Sequence, residues 1–119
     1  MNQVTGARTG RLLSNDVGLT QLSNRIAAGF EVTGGNPFAS SRTLDTLGDT
    51  EIGIWAMTPG TVTDIESDEV FIVISGRGDV HFADGEVIAL RPGVAVRLRA
   101  GERTEWSITE TLRKVYIAQ

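Results

Sequence analysis

The run Glu69 to Ser75, EVFIVIS, limits most strongly what this chain can become. Its β-branched and aromatic side chains stand on both alternating faces, and Gly76 ends it. A run this short and this rich in Val, Ile and Phe is a strand, and apolar residues on both faces predict that it is covered on both sides. Turn signals of the same kind recur along the chain: Pro59-Gly60, Gly76-Arg77-Gly78, Asp84-Gly85, Pro92-Gly93 and Ala100-Gly101. Pro presets φ, Gly accepts positive φ, and Asp-Gly between apolar runs marks a hairpin.

Between these turns the sequence predicts strands at 26–33, 51–57, 69–75, 79–83, 86–90, 94–99, 104–108 and 112–118. Residues 61–68 read as an acidic loop. Residues 39–49 read as an irregular crossing with at most a short edge strand at Arg42 to Leu44. Val94, Val96 and Leu98 share one face of their strand, and Arg97 and Arg99 share the other. No long helical period occurs. Many short strands spaced about 8–12 residues apart make an all-β sandwich or barrel. With 119 residues the chain makes one domain, divided into an N-terminal arm, 1–24, and a barrel, 25–119. The arm carries Leu12, Leu13, Val17, Leu19 and Leu22 around a turn at Ser14-Asn15-Asp16. It is expected to lie over the barrel, to cross to a second copy, or to remain a partly disordered terminus.

Several chemistries are excluded by composition. There is no Cys, hence no disulfide, thiolate ligand or thiol nucleophile within the chain. One His, His81, rules out a mononuclear site built from two or three imidazoles of one chain. A net charge of −4 and a pI near 4.9 disfavour nucleic acid and anionic membrane surfaces. The opening MNQVTGARTG lacks the apolar core of a signal peptide, and no apolar run reaches the roughly 20 residues of a membrane helix. A cytoplasmic protein is the expectation.

Laid end to end, these turns and strands resemble the cupin family between Ile54 and Ile117. Pro59-Gly60, Glu69 and Gly76 match the first cupin motif. Gly85, Pro92-Gly93 and Ala100-Gly101 match the second. The resemblance implies a double-stranded β-helix, or jelly-roll, barrel. It places the family's four metal ligands at Val62, Asp64, Glu69 and Thr104, of which only Glu69 keeps its family identity. One carboxylate does not hold a transition metal, so neither metal nor cofactor is expected. Trp55-x-x-x-Pro59-Gly60, Asp68-Glu69-Val70-Phe71, Trp106 and Leu112-Arg113-Lys114-Val115-Tyr116 resemble the cupin subgroup that includes ureidoglycine aminohydrolase and the ethanolamine-utilisation cupin. That subgroup mixes metal-dependent enzymes with members lacking the histidines, so no activity carries over.

The candidate residues each have two readings. Glu69 is either a carboxylate inside the barrel, desolvated and serving as acid or base, or a strand-entry residue paired to an Arg at the rim. Asp64, Glu66 and Asp68 form either an oxygen-rich cation site or a solvated loop. His81 belongs to the face opposite Val80 and Phe82. Trp55 and Trp106 make either an aromatic ligand wall or core packing. Arg97, Arg99, Arg103, Arg113 and Lys114 either bind an anion or form a solvated face. Two functions follow. One is a metal-free cupin, enzyme or sensor, holding a small polar metabolite between Trp55, Asp64, Glu69, Thr104, Trp106, Lys114 and Tyr116, with Glu69 as the catalytic or anchoring group. The other is a structural or partner-binding homodimer with a filled barrel, its arm adding to a neighbour's sheet. A third, a metal held by Glu69, Asp64 and a neighbour's His81, matches hard and borderline ligands poorly.

Overall fold

Two long strands organise the molecule. The computed structural model describes residues 10–26 and 30–119. Its strands are β1 (Asn24–Ile26), β2 (Phe30–Gly35), β3 (Ala39–Leu47), β4 (Thr50–Met57), β5 (Gly60–Ile65), β6 (Glu69–Phe82), β7 (Val87–Leu90), β8 (Ala95–Leu98) and β9 (Arg103–Ala118). All the pairings are antiparallel. β6 pairs with β9 from Glu69↔Ala118 to Phe82↔Thr104, with register shifts between Val73 and Gly78. On the far side of β9 lie β4 and β5. On the far side of β6 lie β8 and β7. β3 and β1 extend β4, and β2 extends β5.

The register shifts bend both long strands, and each strand therefore serves two layers. One layer is β8, the first half of β6, the second half of β9, β4, β3 and β1. The other is β7, the second half of β6, the first half of β9, β5 and β2. Their inner faces meet in a core of Met57, Val62, Phe71, Val73, Val80, Leu90, Leu98, Trp106, Ile108 and Leu112. This is the expected all-β jelly-roll barrel. Among the described residues no helix is long and apolar enough to cross a membrane.

Several expectations need correction. Gly76-Arg77-Gly78 bends a strand rather than ending one, and Thr109 to Thr111 does the same in β9. The bend needs glycine because the two strands touch there. A Cβ on Gly76, at φ 94°, would lie 2.1 Å from the Thr111 carbonyl oxygen, and one on Gly78 would lie 2.4 Å from that of Ser107. Residues 60–65 are strand β5, not loop, and β3 runs the length of a segment read as irregular. β3 was missed because Ser40, Ser41, Arg42 and Thr43 offer no alternating pattern, and only its pairing with β4 makes it a strand. The stretch 26–33 holds parts of two strands that pair with different partners, β1 with β3 and β2 with β5. Residues 27–29 within it, and 1–9 of the arm, lie outside the described residues.

Of the arm, residues 17–22 lie against the chain's own sheet. Arg113 on β9 donates from Nη1 to the carbonyls of Val17 at 3.0 Å and Thr20 at 2.7 Å, and Arg42 donates to that of Gln21 at 3.2 Å. β6 itself departs from expectation on one face: Phe71 and Val73 are buried, whereas Val70 and Ile72 are 38% and 40% exposed.

The close approach at the bend predicts unequal costs for two positive-φ glycines. Gly76→Ala should lower stability by about 3 kcal/mol or more, combining overpacking with left-handed strain. Gly85→Ala, in the hairpin turn with nothing within 4 Å of the added carbon, should cost about 1 kcal/mol. Urea midpoints of the two variants check this, and equal losses would contradict the bend.

Candidate functional site

The alternation of β4, β6 and β9 sends Trp55, Glu69, Phe71, Lys114 and Tyr116 to the inner face of one layer. β5 and the start of β9 send Val62, Asp64, Thr104 and Trp106 inward from the other. A cavity of about 250 Å³ lies between them, lined among others by Phe30, Ser41, Trp55, Asp64, Glu66, Glu69, Trp106, Lys114 and Tyr116. A second, more open hollow of about 610 Å³ adjoins it and shares Phe30, Asp64 and Ile65. It also takes in Thr104, His81 and Arg103.

An ion pair forms the centre of the site. Lys114 Nζ lies 2.6 Å from Glu69 Oε2, and the two side chains are only 7% and 15% exposed. Around the ammonium stand three rings, with centroids 4.4 Å (Phe71), 4.7 Å (Trp55) and 4.8 Å (Trp106) from Nζ. The rings also contact one another, Trp106 lying 5.4 Å from Phe71 and 5.8 Å from Trp55. Aromatic faces carry negative potential, so the cage and the carboxylate together replace the water that Lys114 loses on burial.

Two more carboxylates face this centre. Glu66 Oε2 accepts from Thr104 Oγ1 at 2.6 Å and from Trp106 Nε1 at 3.0 Å, tying the loop before β6 to β9. Asp64 accepts, among the described residues, only the amide of its neighbour Ile65. Burial pushes the Asp64 carboxyl up to about 6, and the carboxylate of Glu66 adds to the shift. At the other end Tyr116 donates its hydroxyl to Glu51 at 2.5 Å. Burial, then that bond, pushes the phenol up to about 12, and the same bond draws the Glu51 carboxyl down. Gly53 leaves room for the ring, since a Cβ there would lie 2.5 Å from the Tyr116 hydroxyl oxygen.

The expected site residues Trp55, Asp64, Glu69, Trp106, Lys114 and Tyr116 thus line one cavity, and Thr104 hydrogen-bonds at its edge. Glu69 is paired inside the barrel to Lys114, not at the rim to an Arg. The acidic run does not converge: Asp64 turns inward, Glu66 bonds Thr104 and Trp106, and half-buried Asp68 pairs with Arg97 at 3.1 Å. The basic residues also disperse, Arg113 to the arm and Lys114 to the interior. His81 is exposed beside the outer hollow, facing away from the core side chains Val80 and Phe82, as its alternation predicts. Sequence reasoning missed Phe71 and Glu51, and it offered Glu66 only as part of a cation site or a solvated loop, not as the acceptor for Thr104 and Trp106. Phe71 in particular reads as core from its strand alone, and only the partner strand shows that its ring faces an ammonium.

A family model for the EutQ-like cupin domain matches residues 44–116. The chain belongs to that cupin family. Among solved structures it is similar to EutQ of Clostridium difficile, at 20% identity and a TM-score of 0.67, over 83% of this chain and 79% of that one. A Rhizobium leguminosarum protein of unknown function is 29% identical, with a TM-score of 0.61 over 67% and 79% of the two chains. The ectoine synthase of P. lautus is 24% identical, with a TM-score of 0.59 over 66% and 62%. No curated protein matches the chain.

The donors present do not fit the metal of a histidine-bearing cupin. Val62 offers no donor, Thr104 gives its hydroxyl to Glu66, and Glu69 is held by an ammonium. Among the described residues no three His, Cys, Asp or Glu side chains gather where they would hold a metal.

Two predictions follow from this geometry. Lys114→Met strands the Glu69 carboxylate and should cost about 3–5 kcal/mol, whereas Lys114→Met with Glu69→Gln should recover most of that loss. A double-mutant cycle by urea unfolding reads the coupling. Asp64 has a folded pKa above its unfolded value, so its protonated form favours the fold. That contribution is complete below about pH 4 and is lost as pH rises through about 6. Asp64→Asn should therefore stabilise the protein by about 1 kcal/mol near pH 8, after allowance for solvent screening, and by nothing near pH 4. Melting curves at the two pH values test it.

Proposed function

We propose that this EutQ-like cupin binds a small polar metabolite in the inner cavity, without a histidine-ligated metal. The observation that carries the reading is the cavity itself: about 250 Å³, walled by Trp55, Trp106 and Phe30, with the Asp64 carboxyl facing it. Small-ligand sites combine apolar walls with a few placed polar groups in this way. Three carboxyl groups, Asp64, Glu66 and Glu69, stand against one ammonium, so ligands rich in hydrogen-bond donors or carrying a positive charge are favoured over anions. Burial raises the Asp64 carboxyl to about 6, which makes it the group suited to give or take a proton. Glu69, held by Lys114, anchors and orients.

A second reading, a barrel with a structural role, draws on the Lys114 cage. Phe71 and both tryptophans fill the space behind the ion pair, and the pair is neutral as a unit.

A thermal-shift screen separates the two. Small amines, amides and ureides should raise the melting temperature, and carboxylates of the same size should not. Glu69→Gln should abolish the shift. A screen in which no compound stabilises the protein favours the structural role, and an unchanged shift in Glu69→Gln removes Glu69 from the site.

A further inference from the structure

Of the 11 Lys and Arg residues in the chain, Lys114 alone is a lysine. Among the described residues it is also the only buried cation. Its side chain lies on the wall of the inner cavity, so the one side-chain amine this chain possesses is held where a small molecule would meet it.

The surroundings of the nitrogen are specific. An ammonium carries three N–H donors. Among the described residues Nζ donates to one acceptor, Glu69 Oε2 at 2.6 Å. The rings of Phe71, Trp55 and Trp106 stand around it at 4.4 to 4.8 Å. Ring faces attract positive charge but do not need an N–H to do so. The site therefore asks for a cation with a single hydrogen-bond donor. A guanidinium, with five donors in a fork, would leave most of them unpaired there. A protonated imine meets the demand: its charge is centred on Nζ, it keeps one N–H for Glu69, and its carbon is apolar enough to lie among the rings.

We propose that Lys114 condenses with a small aldehyde or ketone in the inner cavity, forming a protonated imine whose counter-ion is Glu69. The inference rests on the reading of that cavity as a ligand site and names the ligand's reactive group. The step needs no co-reactant. An ammonium and a carbonyl give an iminium and one water, and the charge of the site is conserved. Two protons pass from the nitrogen to the carbonyl oxygen, the nitrogen lone pair forms the C=N bond, and the oxygen leaves as water. The third proton stays on the nitrogen, facing Glu69. Glu69 is in contact to take the first proton and free the nucleophile. Asp64 lines the same cavity and, among the described residues, accepts only the Ile65 amide, so it is available to pass a proton to the oxygen. With Asp64, Glu66 and Glu69 all on the cavity wall, the carbonyl compound is one without a carboxylate of its own.

Reductive trapping on the full chain tests this, since a single lysine leaves one side-chain amine to label. Hydroxyacetone with cyanoborohydride, followed by intact mass and peptide mapping, should give one adduct on Lys114, formed faster than on Nα-acetyl-lysine under the same conditions. Pyruvate, of similar size but anionic, should label Lys114 more slowly than hydroxyacetone does. Asp64→Asn, which keeps the amine and the shape of the site, should slow labelling by about a hundredfold. Labelling confined to the N-terminal amine, or no faster at Lys114 than on the free amino acid, would overturn the proposal. A rate indifferent to Asp64→Asn would remove Asp64 from the step. If Lys114 stays unlabelled while small amides still raise the melting temperature, the imine is wrong and the binding site stands. If neither labelling nor stabilisation occurs, both fall.

Discussion

The pairing of β6 with β9 is the constraint on which everything else rests. Each strand crosses from one layer to the other, so the two layers are held by continuous backbone rather than by loops. That solution demands a bend in both strands at one level, and at Gly76 and Gly78 the backbones come so close that no side chain fits. A barrel closed this way contains few local contacts. Almost every pairing joins segments far apart in sequence, which makes the fold slow to assemble for its size. Hairpins such as β3–β4 and β6–β7 are the exceptions.

Within that frame the interior is unusual for a small protein. Burying an ammonium and a carboxylate costs several kcal/mol per ion before their attraction is counted. Well-packed apolar residues would serve stability at least as well. The Lys114–Glu69 pair therefore indicates something other than bulk stability, and its surroundings show what it sets in place. The ammonium gathers three rings and a carboxylate about one point, which fixes the orientation of both tryptophans. Trp106 Nε1, so oriented, reaches Glu66 and Thr104. A chain of polar contacts thus runs from the floor of the cavity to the loop at its mouth, and Asp64 is left beside it, holding its proton more tightly than an ordinary Asp does.

The turns were legible because their chemistry is local: Pro-Gly, Asp-Gly and Ala-Gly each act on their own few residues. The inward set Val96 and Leu98, and the outward His81, were legible for a related reason, since alternation alone decides them. β3 and β5 were not, because their apolar residues are too few to set an alternating pattern and they become strands only through partners. The two bends were read as breaks for the same cause, as a glycine that ends a strand and one that lets two strands touch look alike in sequence. At the site, the residues were found through their family positions and aromatic chemistry, while the Lys114–Glu69 contact joins positions 45 residues apart. No single stretch records that contact.

The mismatch at Val70 and Ile72 differs in kind from these. There alternation was read as two buried faces, and the described chain covers only the face of Phe71 and Val73. Alternation gives β6 two sets of residues with separate work: Glu69, Phe71 and Val73 face the cavity and core, and Val70 and Ile72 face out. The candidate site and the open outer face are in that sense properties of the same strand, divided only by the two-residue period of its side chains.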